Sequence, residues 1–105
     1  TLASEIGEGA LWANASYSNT VKQVHQVSQE KIAGGFHLAN MIPTVISDDR
    51  EAAAAVNRKT MAVYVRLPNY RNYWRAAGYE EEMTAIESAL AAGDKDKLPS
   101  LMTCL

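Results

Sequence analysis

The chain has a single cysteine, Cys104, so it cannot form an internal disulfide. That fits a reducing compartment, and a cytoplasmic location is the expectation. No apolar run approaches the ~18–20 residues that a membrane-spanning helix needs, so no membrane partner is expected. The start carries Glu5 and Glu8 and no basic segment, and does not read as a signal peptide. Basic residues do not dominate: 10 Lys and Arg face 12 Asp and Glu, for a formal charge of −2. With no basic tract or Arg-rich face, the electrostatic footprint of a nucleic-acid binder is missing. Also missing are a Walker A loop, GxGxxG, GxSxG and CxxC. Neither His25 nor His37 has a Cys, Asp or Glu partner at metal-ligand spacing, which excludes a zinc site of the usual kind. Cys104 has no candidate base beside it and does not read as a nucleophile.

What remains is an ordinary globular composition. The 105 residues are 48% apolar and 21% charged, suited to a single domain with a modest core. Residues 1–7 resemble the last turns of a helix, with Leu2 and Ile6 on one face, broken at Gly7-Glu8-Gly9. Gly9 suits a left-handed cap or a tight turn. Ala10-Leu11-Trp12-Ala13 reads as a short buried strand, and Asn14-Ala15-Ser16 opens the loop after it. A helix is expected from Ser18 or Asn19 to Gly34-Gly35, with Val21, Val24, Val27 and Ile32 on its apolar side. A second strand is expected within residues 36–46. There Pro43, which donates no ladder hydrogen bond, implies a bulge or an edge.

The second part, residues 48–105, reads as helical. Asp48 and Glu51 have capping-box spacing and open an Ala-rich helix that reaches Val65 or Arg66. Pro68 forces a break. Residues 69–77 form a short helix with Tyr70, Tyr73, Trp74 and Ala77 on one side. Tyr79, Met83, Ile86 and Leu90 recur at i, i+4, i+7 and i+11, the cleanest amphipathic pattern in the chain. A last helix runs through Leu98, Leu101, Met102 and Leu105. Glu80-Glu81-Glu82 reads as an acidic first turn favoured by the helix dipole, because consecutive helical residues point in different directions.

Strand–helix–strand order over residues 1–47 implies a parallel βαβ unit. Two parallel strands make a poor sheet alone, since parallel sheets are normally wide and covered on both faces. The reading wants more strands than these residues supply. Together with a start at Thr1 and a helical reading at Leu105, it carries the expectation of a piece of a larger α/β fold.

The stretch Leu2-Ala3-Ser4-Glu5-Ile6-Gly7-Glu8-Gly9-Ala10-Leu11-Trp12-Ala13-Asn14-Ala15-Ser16 resembles luciferase-like monooxygenases. It is most similar to their deazaflavin-dependent reductases, such as methylenetetrahydromethanopterin reductase. The resemblance continues through Pro43-Thr44-Val45-Ile46-Ser47-Asp48-Asp49, Gly78-Tyr79-Glu80-Glu81-Glu82 and Ala91-Ala92-Gly93-Asp94. It implies a TIM barrel of ~250 residues, of which this chain would supply two late strands, their helices and the helical segment before the last strand. The implied chemistry is hydride transfer through coenzyme F420, with FMN as the alternative, on a small-molecule substrate, by an enzyme that forms homo-oligomers. The early strands, with much of the cofactor and substrate contact, would lie elsewhere, so this chain alone is expected to be inactive. The rival expectation is a non-catalytic barrel piece or a small helical partner-binding or oligomerising module.

Active sites of such barrels sit at the C-terminal ends of the strands. Asn14 and Ser16 qualify by position, either to hydrogen-bond a cofactor or substrate or simply to satisfy a post-strand turn. The turn of residues 66–72 is placed by the resemblance near the substrate side. There Arg66, Tyr70 and Arg71 meet an acidic or flat ligand, or form a solvated helix break with Tyr70 half buried. Trp12, Tyr73 and Trp74 read as core or interface, and His25 as surface.

Overall fold

The computed structural model describes residues 2–103. The chain divides into two compact units, residues 1–42 and 43–105. The expectations that fell on Thr1, Cys104 and Leu105 lie outside the described residues.

The first unit runs α1 (Leu2–Ile6), β1 (Gly9–Ala13), α2 (Tyr17–Val24), α3 (Gln29–Ala33) and β2 (His37–Met41). The two strands pair in parallel, with Gly9 opposite His37, Leu11 opposite Ala39 and Ala13 opposite Met41. Gly9 is the first strand residue and not a left-handed cap. A Cβ there would lie 2.7 Å from the His37 carbonyl oxygen, so the close approach of β2 is what requires glycine. The single helix expected between the strands is two. Ser28 interrupts it because its Oγ accepts from the Lys31 N–H at 3.3 Å and caps a new helix. Gly35, at φ 92°, then turns the chain into β2.

The second strand is shorter than the expected 36–46, and its end has a chemical cause. Along the parallel ladder, alternate residues of β2 exchange bonds with β1. One end of the series is the His37 N–H donating to the Glu8 carbonyl at 3.0 Å, and the other is the Asn14 N–H donating to the Met41 carbonyl at 3.0 Å. The next rung would require the N–H of residue 43, and proline has none.

The second unit comprises α4 (Arg50–Tyr64), α5 (Pro68–Ala76), α6 (Glu80–Ala91), a 3-10 turn (Lys95–Lys97) and α7 (Leu98–Leu101). Asp49 caps α4, not Asp48. Its Oδ1 accepts from the Ala52 N–H at 3.0 Å, and its own N–H is held by the Ser47 hydroxyl at 3.1 Å. The capping-box partner of Asp49 would be residue 52, an alanine, so the box expected from Asp48 and Glu51 does not form. Pro68 opens α5 at its first turn, where a missing N–H costs nothing. The last helix ends at Leu101, shorter than expected.

This unit holds the core. Val65, Ile86 and Leu98 are fully buried, surrounded by Met61, Ala62, Trp74, Met83, Ala89 and Met102. Burial of each large aliphatic side chain contributes roughly 1.5–3 kcal/mol. By contrast, Val27 is the only buried apolar side chain among the described residues of the first unit.

Ile86→Ala is expected to destabilise the second unit by about 2–5 kcal/mol in urea unfolding, because its cavity is enclosed on all sides. Tyr73→Phe is expected to stabilise it by about 1 kcal/mol. The Tyr73 hydroxyl is buried without a hydrogen-bond partner among the described residues, and its removal relieves that desolvation.

Candidate functional site at the strand ends

Both strands of a parallel pair end on the same side, and here that side carries Asn14-Ala15-Ser16 and Met41-Ile42. Asn14 adopts φ 56°, the left-handed region that asparagine tolerates better than most side chains. Its turn takes the chain out of the ladder just after the last rung. Asn14 is buried, so its side chain faces protein rather than solvent.

Ser16 caps α2. Its Oγ accepts from the Asn19 N–H at 3.4 Å, and its carbonyl accepts from the Thr20 hydroxyl at 2.8 Å. The capping role absorbs one lone pair of the hydroxyl and leaves its proton available. The structure therefore brings Asn14 and Ser16 together in one turn and gives each a structural task.

Two neighbours complete the turn that sequence reasoning passed over. Asn40, inside β2, directs its carboxamide to the backbone of Ala15: Nδ2 donates to the carbonyl at 3.3 Å and Oδ1 accepts from the N–H at 3.5 Å. Tyr17, the first residue of α2, is 86% exposed beside this turn. Period-two alternation places Asn40 on the face of Trp12, its pairing partner, whose indole N–H donates to the Gln23 carboxamide of α2. The opposite face carries Leu11, Ala13, Ala39 and Met41, all exposed. Leu11 reaches 72% exposure and the adjoining Ile42 67%.

Arg66 and Tyr70 belong to the second unit. Arg66 follows α4, is exposed, and makes no hydrogen bond or ion pair with its side chain among the described residues. Tyr70 is committed to packing. Its ring meets Tyr64 edge-on at 5.2 Å and Trp74 at 5.5 Å, and it borders the core. The half-buried reading of Tyr70 is the one observed. Trp74 is buried and Tyr73 packs against the core, as expected for core aromatics.

Arg71 is not a solvated cation. Its Nη1 donates to the Val65 carbonyl at 2.8 Å, near the C-terminal end of α4, and its Nε donates to Glu87 at 3.0 Å. Arg75 grips the same carboxylate with two bonds, of 3.0 and 2.6 Å, and reaches Glu80 at 3.1 Å. The hydrogen bonds from Arg75 and then Arg71 lower the Glu87 carboxyl to a pKa of about 2. The Arg75 guanidinium is correspondingly raised by its bond to Glu87. The cluster joins α5 to α6 and occupies Arg71, whereas Arg66 makes no such pairing among the described residues.

His25 is exposed, and His37 opens β2 at the end away from the strand-end turn. An open groove there is lined by Glu8, Lys31, Gly35, Phe36 and His37 among others. Among the described residues no group of three His, Cys, Asp or Glu is placed to hold a metal. No helix among them is long and apolar enough to cross a membrane. No family model, no curated protein and no solved structure matches the chain.

Because the Glu87 pKa is depressed from 4.5 to about 2, the stabilisation it carries is complete above pH ~4.5 and is lost as the pH falls toward 2. Glu87→Gln is expected to flatten the acid limb of stability against pH in that window, read by urea unfolding. The effect is expected to shrink in high salt, since the carboxylate is 43% exposed. An unchanged acid limb would show that the pairing adds nothing to stability.

Proposed function

We propose that this chain is part of a luciferase-like oxidoreductase barrel that transfers hydride to or from a small-molecule substrate, with coenzyme F420 preferred over FMN. One observation carries the reading. The parallel β1–β2 pair has an apolar face, Leu11, Ala13, Ala39 and Met41, that nothing covers among the described residues of its unit. A barrel interior is filled by such side chains from adjacent parallel strands, while the other face packs on helices. Trp12, bonded to α2, stands on the helix side. A unit with Val27 as the one buried apolar side chain among its described residues is below what a domain of ~40 residues needs to stand alone. Further strands satisfy both requirements. A second copy of the chain satisfies them less fully, and self-association of the isolated chain follows from the same face.

The strand-end turn suits one end of a flat redox ring. Tyr17, Met41 and Ile42 offer exposed aromatic and apolar surface there, and Ser16 keeps a hydroxyl proton to donate. In the second unit, taken by itself, the exposed Arg66 offers a guanidinium to an acidic ligand. When bound, a deazaflavin or flavin supplies the hydride chemistry, and the protein orients it and excludes water. Asn14, buried and left-handed, shapes the turn.

The test is titration of the protein expressed from its complete gene with F420 and with FMN, followed by ring absorbance and fluorescence. Binding of F420 with loss of its oxidised absorbance on addition of a reduced substrate is the expected result. Binding of FMN alone moves the reading to the flavin branch. Binding of neither overturns it.

A further inference from the structure

The ladder ends for want of one N–H, yet residues 14–16 are held in place. The rung after Asn14 N–H to Met41 is denied by Pro43, and an unsupported chain would fray from that point. A carboxamide presents the same donor and acceptor as a peptide group, side by side. Asn40 uses both on the two backbone groups of Ala15, at 3.3 and 3.5 Å, across 25 residues of sequence. Asn40 is also a poor strand former in the second-last position of a five-residue strand, where a β-branched or aromatic side chain would pack better on Trp12. This bond pair offsets its local cost.

We propose that Asn40 is the positioning residue of the strand-end turn. Its carboxamide fixes Ala15, the residue just beyond the point where Pro43 ends the ladder, so that Asn14 holds its left-handed conformation and α2 starts at Ser16 with Tyr17 facing outward. That this turn belongs to a cofactor site rests on the function proposed above; the clamp itself does not. His37, the only titratable residue within the two strands, stands on the face opposite Asn40. Tyr17, Lys22 and His25 are the titratable groups on or beside α2, which borders the Asn40 face through Gln23.

The test is amide hydrogen exchange, read residue by residue in the full chain without cofactor, for Asn40→Leu and Asn40→Asp. In Asn40→Leu, of similar size, the Ala15 amide is expected to exchange faster by about tenfold or more while the Trp12 amide keeps its protection. Asn40→Asp separates the bonds from mere bulk. Its neutral carboxyl can donate to the Ala15 carbonyl and accept from the N–H, whereas its carboxylate has no proton to donate and faces a carbonyl oxygen. Protection at Ala15, taken relative to the unsubstituted chain at each pH, is expected to be present in acid and lost as the new carboxyl ionises. If Asn40→Leu fails to fold, the acid recovery of Asn40→Asp still decides. Equal protection of Ala15 in Asn40→Leu, or an Asn40→Asp profile parallel to the unsubstituted chain, would overturn the assignment. Because exchange is read without cofactor, its outcome bears on the clamp alone. Failure of the unsubstituted protein to take up F420 or FMN bears only on the proposed function.

Discussion

The parallel ladder between β1 and β2 governs the first unit, and it is limited by a single absent proton. Each rung from Glu8 to Asn14 aligns the strands so that Trp12 and Asn40 share one face and Leu11 and Met41 the other. At Pro43 the donor series stops. The turn that follows leaves the ladder: Asn14 is at positive φ, Ser16 caps the next helix, and Asn40 bonds the backbone of Ala15. The position of the candidate site is therefore a consequence of where the ladder runs out. Parallel strands make their ends coincide, and the proline fixes where that is.

The second unit is organised differently. Its order comes from aliphatic burial around Val65, Ile86 and Leu98, with an aromatic border of Tyr64, Tyr70 and Trp74. One carboxylate, Glu87, receives two arginines from α5 and so ties that helix to α6. Arg71 also satisfies the carbonyl of Val65 near the end of α4, a group with no further helical turn to bond it. This arrangement turns a chain segment rich in charge into a structural joint.

Much of this was legible in the sequence where one periodicity or one stereochemical rule dominates. The spacing of Met83, Ile86 and Leu90 specifies α6, Pro68 marks the start of α5, and Pro43 is incompatible with a regular central strand. Other features were hidden because two rules competed. Asp48 and Asp49 are equally good caps by composition, and the bond that the Asp49 N–H donates to the Ser47 hydroxyl favours the second. Ser28 looks like a tolerable helical residue until its hydroxyl caps α3. For Tyr70 and Arg71 a ligand-facing and a structural reading stay open in the sequence, because Tyr64 and Glu87, which occupy them, lie six and sixteen positions away. Asn40 gave no signal, since its importance lies in a backbone 25 residues away.

The reading of the first unit as two strands of a larger barrel is the claim from which the functional proposal grows. It is tested most directly by hydroxyl-radical labelling of Leu11 and Met41 in the protein expressed from its complete gene. In the present structure these side chains are 72% and 47% exposed. If further strands close over them, both are expected to be protected, while Val63 of α4, 60% exposed, serves as the internal reference for a reactive side chain. Labelling of Leu11 and Met41 to the level of Val63 would contradict the barrel and the hydride-transfer role together.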